Sequence, residues 1–314
     1  MADLTPIAVE AAIDPKDERE SFRDYLRALW RDKITAVALL FLLTLVAFTV
    51  GAEFLAPHKP TGLNLADRML PPFSTGKGGP FYLLGTDELG RDLFTRLIYG
   101  ARVSVSVGLL GATLSCFFGV IAGLTAGYYG GLYEDLVMRL VDGMLSLPSL
   151  LVALFVLFIL GGGFANLILV FAVLHWMVFA RMSRGLALSA RSKTYVVAAK
   201  AMGASGRRIV FRHILPNVVA PLLVLYTLEI AILILSEASL SFLGFGVQPP
   251  DPSWGLMVAD GREHIRSAWW LVAFPGLAIF LTALSLNLVA SWVRSVTDPA
   301  QRWRWFAIGS GGGG

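Results

Sequence analysis

Charged residues are scarce. Asp, Glu, Lys and Arg make up 15% of the 314 residues, where soluble proteins carry about 25%. With 56% hydrophobic residues and a mean hydropathy of +0.68, this excludes an ordinary soluble domain and implies an integral membrane protein. A single cysteine, Cys116, excludes an internal disulfide framework, and its place in an apolar run reads as a buried small hydrophobe. The four histidines (His58, His175, His213 and His264) lack ligand spacing, so no metal site is expected. A G-x-x-x-x-G-K-[ST] phosphate loop is absent, which excludes ATP hydrolysis by that device. There is no dinucleotide fingerprint, no nucleophile set beside a base, and no basic–aromatic pattern suited to nucleic acid. The expectation is therefore a chain with no catalytic residues and no cofactor of its own. Its apolar runs hold too few carboxylates for a multi-step proton relay.

What is present begins with a polar, acidic N-terminus, the wrong order for a cleavable signal sequence. Residues 1–16 read as disordered. From Asp17 to Lys33, Phe22, Tyr25, Leu26, Leu29 and Trp30 fall at helical spacing, with Arg19, Arg23, Arg27 and Arg31 on another face. That pattern predicts a basic amphipathic helix on the inner membrane surface, or one packed on a partner. Six apolar segments of about 20 residues follow, at Ile34–Leu55, Ser104–Tyr128, Leu136–Leu160, Ala165–Met182, Val218–Leu240 and Trp269–Val293. Pro148 marks a kink or bend in the third. Gly119, Gly123 and Gly127 form a small-residue stripe in the second, a packing feature. Gly161–Gly163 predict a tight hairpin, and Trp269–Trp270 an interfacial aromatic pair. The chain thus divides into an N-terminal segment (1–33), a six-span domain (34–296) and a tail (297–308). The Gly-rich residues 309–314 read as an appended linker.

An even number of spans puts both ends on one side. The N-terminal segment, the 181–212 loop and the tail hold seventeen Lys and Arg, against eight in the two opposite loops, so both ends and that loop are expected to be cytoplasmic.

Within that cytoplasmic loop (about 185–217), the stretch Tyr195–Asn217 is polar, basic and helix-patterned. Ala198, Ala199, Ala201 and Met202 favour a helix, Gly203 and Gly206 break it, and Pro216 closes it. Lys200, Arg207, Arg208 and Arg212 supply the charge. A short helix–turn–helix of this kind suits a groove in a soluble partner; an ordinary basic loop is the plainer reading. On the other side, Thr86 with Asp87 and Glu88 reads as the N-cap of an amphipathic helix whose apolar face is Leu89, Leu93, Leu97 and Ile98. Arg139 and Asp142 stand three apart, close enough to pair, as a structural contact or a gate. Glu229 and Glu237 lie inside the fifth span, two turns apart, where an ionisable residue suggests function. For Glu229 a satisfied interior carboxylate competes with substrate contact. The prolines of Gly244–Gly255 exclude a simple span and predict an outer loop folded against a translocation mouth.

The Tyr195–Asn217 stretch resembles the coupling loop of ABC-importer permeases. Ala198-Ala199, Gly203 and Leu215-Pro216 fall at that family's spacing, while Val197 stands where Glu is common and His213 where Ile is common. LGTDELGRD (84–92), Met138-Arg139…Asp142…Leu147-Pro148 and EASLSFLGFGVQPPDPSWG (237–255) resemble signatures of its dipeptide, oligopeptide and nickel branch. The resemblance implies an all-α type I ABC importer transmembrane domain with cytoplasmic coupling helices, in a bacterial inner membrane. Its implied partners are a second permease, two ATPase subunits carrying ATP and Mg, an extracytoplasmic solute-binding protein and membrane lipid. It implies that Ala198, Ala199, Gly203, Ala204, Arg207, Leu215 and Pro216 serve ATPase coupling, and that Arg139, Asp142, Glu229 and Glu237 line a pathway or gate. The resemblance leaves the solute open among dipeptides, oligopeptides, nickel chelates and glutathione. A secondary transporter driven by an ion gradient is the alternative, without the internal repeat common in that class. A purely structural scaffold is a third.

Overall fold

The computed structural model describes residues 22–297. The readings for residues 1–21, for the tail beyond 297 and for the 309–314 linker lie outside the described residues. Helix α1 (Phe22–Arg31) precedes α2 (Lys33–Val50), the first membrane-length helix. Asp32 separates them: its side chain accepts from the Thr35 amide (3.3 Å) and hydroxyl (2.7 Å), capping α2. A short turn, α3 (Ala52–Leu55), leads into a compact loop. Its two-stranded hairpin pairs β1 (Ser74–Thr75) with β2 (Phe81–Tyr82). That loop closes around buried Asp67, which accepts from the Lys77 amide at 2.7 Å and the Asn64 side chain at 2.7 Å.

The expected helix at Thr86 does not form. Gly85 and Gly90 both adopt positive φ (+84° and +71°), and a Cβ on Gly90 would sit 1.8 Å from the Asn64 carbonyl oxygen. The stretch is therefore held as tight turns against the preceding loop. Thr86 Oγ1 donates to the Asp67 carbonyl (2.5 Å) and accepts from the Leu70 amide (2.8 Å). Helix α4 (Leu93–Tyr129) starts later, capped by Asp92, whose carboxylate accepts from the Thr95 amide at 3.1 Å. It has 37 residues, not the shorter span expected. At 1.5 Å per residue it reaches about 55 Å, well beyond a hydrocarbon core of about 30 Å.

The third apolar segment is not one straight helix. Helices α5 (Gly131–Leu145) and α6 (Ser149–Leu160) meet at 86° around Pro148. A proline bars helical geometry at the residue before it, which is why the break falls there. Gly161–Gly163 turn the chain into α7 (Phe164–Arg191), with positive φ at Gly161 and Gly163. The remaining long helices are α10 (Leu215–Phe242) and α12 (Trp270–Thr297), joined by the Pro-rich loop and α11 (Trp254–Gly261). Among the described residues, five helices are long and apolar enough to span a bilayer, and the bent pair makes a sixth crossing if counted as one.

The centre of the molecule is α4 against α7. A Cβ on Gly119, Gly123 or Gly127 would lie 2.2, 2.2 or 2.6 Å from the carbonyl oxygens of Trp176, Ala180 and Arg184. The constant offset shows two parallel helices in backbone contact. Within lipid, apolar side chains gain little by meeting one another, so close backbone approach at small residues carries much of the pairing. Helix α10 packs antiparallel on α4, with Gly108 against Ile234. Cys116 is half-buried rather than fully enclosed. Of the aromatic pair, Trp269 is exposed but Trp270 is buried, its indole donating to the Thr86 carbonyl at 3.3 Å.

Candidate functional site

The basic stretch forms a helix–turn–helix on the ends of α4 and α7. Helix α8 (Thr194–Ala201) stops in a Schellman arrangement: Gly203 N–H donates to Lys200 O (3.0 Å) and Ala204 N–H to Ala199 O (3.1 Å). Gly203 takes φ +79°, and the space a Cβ would enter is open. Its glycine thus serves the turn, not a close approach. Gly206 has the close approach instead, with a Cβ position 2.8 Å from the Tyr129 hydroxyl.

Beyond that turn, α9 (Gly206–Arg208) and a wide π turn (Ile209–Ile214) run without interruption into α10. Pro216 therefore does not close the element; it sits in the first turn of α10. Proline cannot donate a backbone hydrogen bond and crowds the carbonyl four residues back, and the π turn immediately before it gives that room. Asn217 Nδ2 donates to the His213 carbonyl at 2.7 Å, satisfying an acceptor in the disturbed turn.

Burial divides the element into two faces. Val196, Ala199, Ile209, Val210 and Ile214 are buried against Leu124, Phe179 and Ala187 of α4 and α7. Val197, Ala198, Lys200, Met202, Gly203, Arg207 and Arg208 face outward, with Met202 80% exposed. Ala204 and Leu215 are half-buried and Pro216 is exposed. A basic surface with apolar points is presented outward.

The four ionisable residues assigned to a pathway or gate fall at three separate places. Asp142 does not pair with Arg139; it meets Arg181 of α7, and Arg139 stays exposed. With Glu134 accepting from Arg184 Nε at 2.5 Å, two salt bridges tie α5 to the end of α7. Glu229, 4% exposed, lies 2.9 Å from His175 Nδ1 of α7. Glu237 is fully buried at the other end of α10. It accepts from Ser104 Oγ of α4 (2.7 Å) and Ser241 Oγ (2.6 Å). Ser104 Oγ also accepts from the Trp254 amide at 3.3 Å, and Ser253 caps α11 beside it. Glu237 thus joins α4, α10 and the start of α11.

The 84–92 turns carry a second charged group. Asp87 Oδ2 accepts from Arg91 Nε at 2.6 Å and lies 3.4 Å from Arg96 Nε, while Glu88 approaches His264 at 3.3 Å. Asp260 of α11 lines the same small cavity, and burial pushes its carboxyl pKa up. This group fastens the loop to α4 and α11.

Residues 119–303 match the family described as binding-protein-dependent transport system inner membrane component. Residues 21–72 match the N-terminal TM domain of oligopeptide transport permease C. The chain belongs to this permease family.

Among the permease's relatives, the di/tripeptide transport system permease protein DppC of Pseudomonas aeruginosa is 41% identical over 278 residues, covering 88% of this chain and 91% of its own. The dipeptide transport system permease protein DppC of Haemophilus influenzae is 39% identical, covering 91% and 96%. The glutathione transport system permease protein GsiD of Pectobacterium atrosepticum is 36% identical, covering 93% and 96%. The permease is a multi-pass inner-membrane component of a transport system with further components. In this permease His175, Ser104, Arg181 and Arg184 partner Glu229, Glu237, Asp142 and Glu134, yet spacing alone does not single them out. For His175 one signal was present: an ionisable residue inside an apolar span.

Proposed function

We propose that this permease is one of two membrane subunits of an ATP-driven importer for di- or oligopeptides or a related small solute. The coupling element carries the reading. A two-helix unit is seated by apolar packing on the ends of α4 and α7 while its basic face stays free, the form of an element that receives force from a soluble partner. The peptide class is supported by the printed functions of the relatives.

In this reading two ATPase subunits holding ATP and Mg dock on α8–α9, and their closure displaces α7 and α10. A second, related permease supplies the other half of the pathway. Exposed apolar residues on α5 and α6, among them Leu132, Leu136, Phe155 and Phe158, leave surface for lipid and for that subunit. An external solute-binding protein delivers the cargo at the opposite end. The cation count supports cytoplasmic placement of both ends and of the coupling element. The 34–296 stretch is then the permease domain.

Purification in mild detergent followed by mass spectrometry tests this directly. A second six-span permease and proteins with phosphate loops are expected to co-purify. A chain isolated alone that moves solute in liposomes without ATP would establish the ion-gradient alternative instead.

A further inference from the structure

The helices entering and leaving the coupling element, α7 and α10, meet at one buried polar contact. His175 and Glu229 approach to 2.9 Å with side chains 12% and 5% exposed. Among the described residues, this is the hydrogen bond that links the two helices side chain to side chain. Around it the packing is apolar, from Phe171 and Leu174 on α7 to Ile230 and Leu233 on α10. Apolar helix faces in a bilayer can slide at little cost, because lipid tails replace the contacts they lose. An imidazole–carboxylate pair cannot, since parting it leaves two polar groups in hydrocarbon.

The remaining sides of this helix triangle are already fixed. Helix α4 holds α7 through the glycine stripe and through Ser115 Oγ, which donates to the Phe171 carbonyl at 3.1 Å. It holds α10 through Thr113 with Tyr226 (2.8 Å) and through Ser104 with Glu237 (2.7 Å). The His175–Glu229 pair closes the third side near the middle of both helices.

We infer that the His175–Glu229 pair is a positioning clamp that makes α7 and α10 one lever. A displacement applied at α8–α9 then reaches the Glu237 end of α10 without being lost as slippage against α7. The inference rests on the importer reading, and it removes Glu229 from direct contact with cargo.

The test uses the complete transporter in liposomes, with radiolabelled alanylalanine as cargo and ATP hydrolysis followed in parallel. His175→Leu and Glu229→Leu are each expected to lower peptide moved per ATP hydrolysed by about fivefold or more, a typical coupling free energy, while hydrolysis continues. The exchanged pair, His175→Glu with Glu229→His, is expected to recover the ratio. In a Cys116→Ala background, His175→Cys with Glu229→Cys joined by a short thiol-reactive linker should keep ATP-driven uptake. Arrest by that linker would mean the pair must open in each cycle, which overturns the clamp, as would an unchanged ratio in both leucine variants. A wild-type transporter that hydrolyses ATP yet moves neither alanylalanine nor radiolabelled oligopeptide, glutathione or nickel chelate would undo the importer reading itself, a result separable from either.

Discussion

Gly123 and Gly203 are both glycines beside helices, and they serve opposite needs. Gly123 has no room: a side chain there would press on the Ala180 carbonyl at 2.2 Å and on Ser183 Cβ at 2.8 Å. Gly123→Val is expected to wedge α4 from α7 and to cost about 1–3 kcal/mol by overpacking, read as a lower thermal midpoint in detergent. Gly203 has room but an unusual backbone, at φ +79°. Gly203→Asp is expected to leave the membrane fold intact, because the strain is local and exposed, yet to change the angle between α8 and α9. Normal expression with uptake largely lost is the expected result; full uptake would sink a coupling role for the turn. The glycine stripe was legible because four-residue spacing alone puts small residues on one helix face. Its partner was not, since nothing in the sequence marks Trp176, Ala180 and Arg184 as the carbonyls it would meet.

At the scale of elements, legibility failed where a distant segment decides the local structure. Thr86, Asp87 and Glu88 carry a proper helix-start pattern, but the Asn64 backbone lies against Gly90 and the stretch folds as turns. Pro216 carries a helix-stop signal, but the π turn before it absorbs the proline and the helix continues. The bend at Pro148 was legible because its cause is local. Two predictions belong here. Glu237 gathers hydroxyls from α4 and α10 at the junction with α11, so Glu237→Gln, which turns one acceptor into a donor, is expected to alter uptake at normal expression. Unchanged uptake would reduce the residue to a structural contact. Asp260, on α11, has a carboxyl pKa raised by burial, with Arg96 acting in the opposite sense. The folded state therefore holds that proton more tightly than the unfolded chain. Its stabilising effect is complete below the ordinary value of 3.8 and is lost as pH rises through the folded pKa. Asp260→Asn removes this dependence, so the thermal midpoint of the variant should gain on the wild type as pH rises. Parallel curves would show that Asp260 is not held protonated.

For the whole molecule, the membrane crossings were legible from composition, because hydrocarbon thickness acts on the entire chain; the sidedness drawn from loop charge is part of the proposal. The structure adds the levels at which the crossings are joined: two salt bridges from α5 to the end of α7, the His175–Glu229 pair in the middle, and the Glu237 group at the other end. Orientation then decides which end receives energy and which receives cargo. Seventeen cations against eight support the proposed place of α8–α9 on the cytoplasmic side. Exposed Lys77 lies in the compact loop at one end, and exposed Met202 at the other. In a Cys116→Ala background, Lys77→Cys should react with a membrane-impermeant maleimide on intact inner-membrane-exposed cells. Met202→Cys should react only after the membrane is opened. The reverse pattern would put α8–α9 outside, away from ATP, and the importer reading would fail with the orientation.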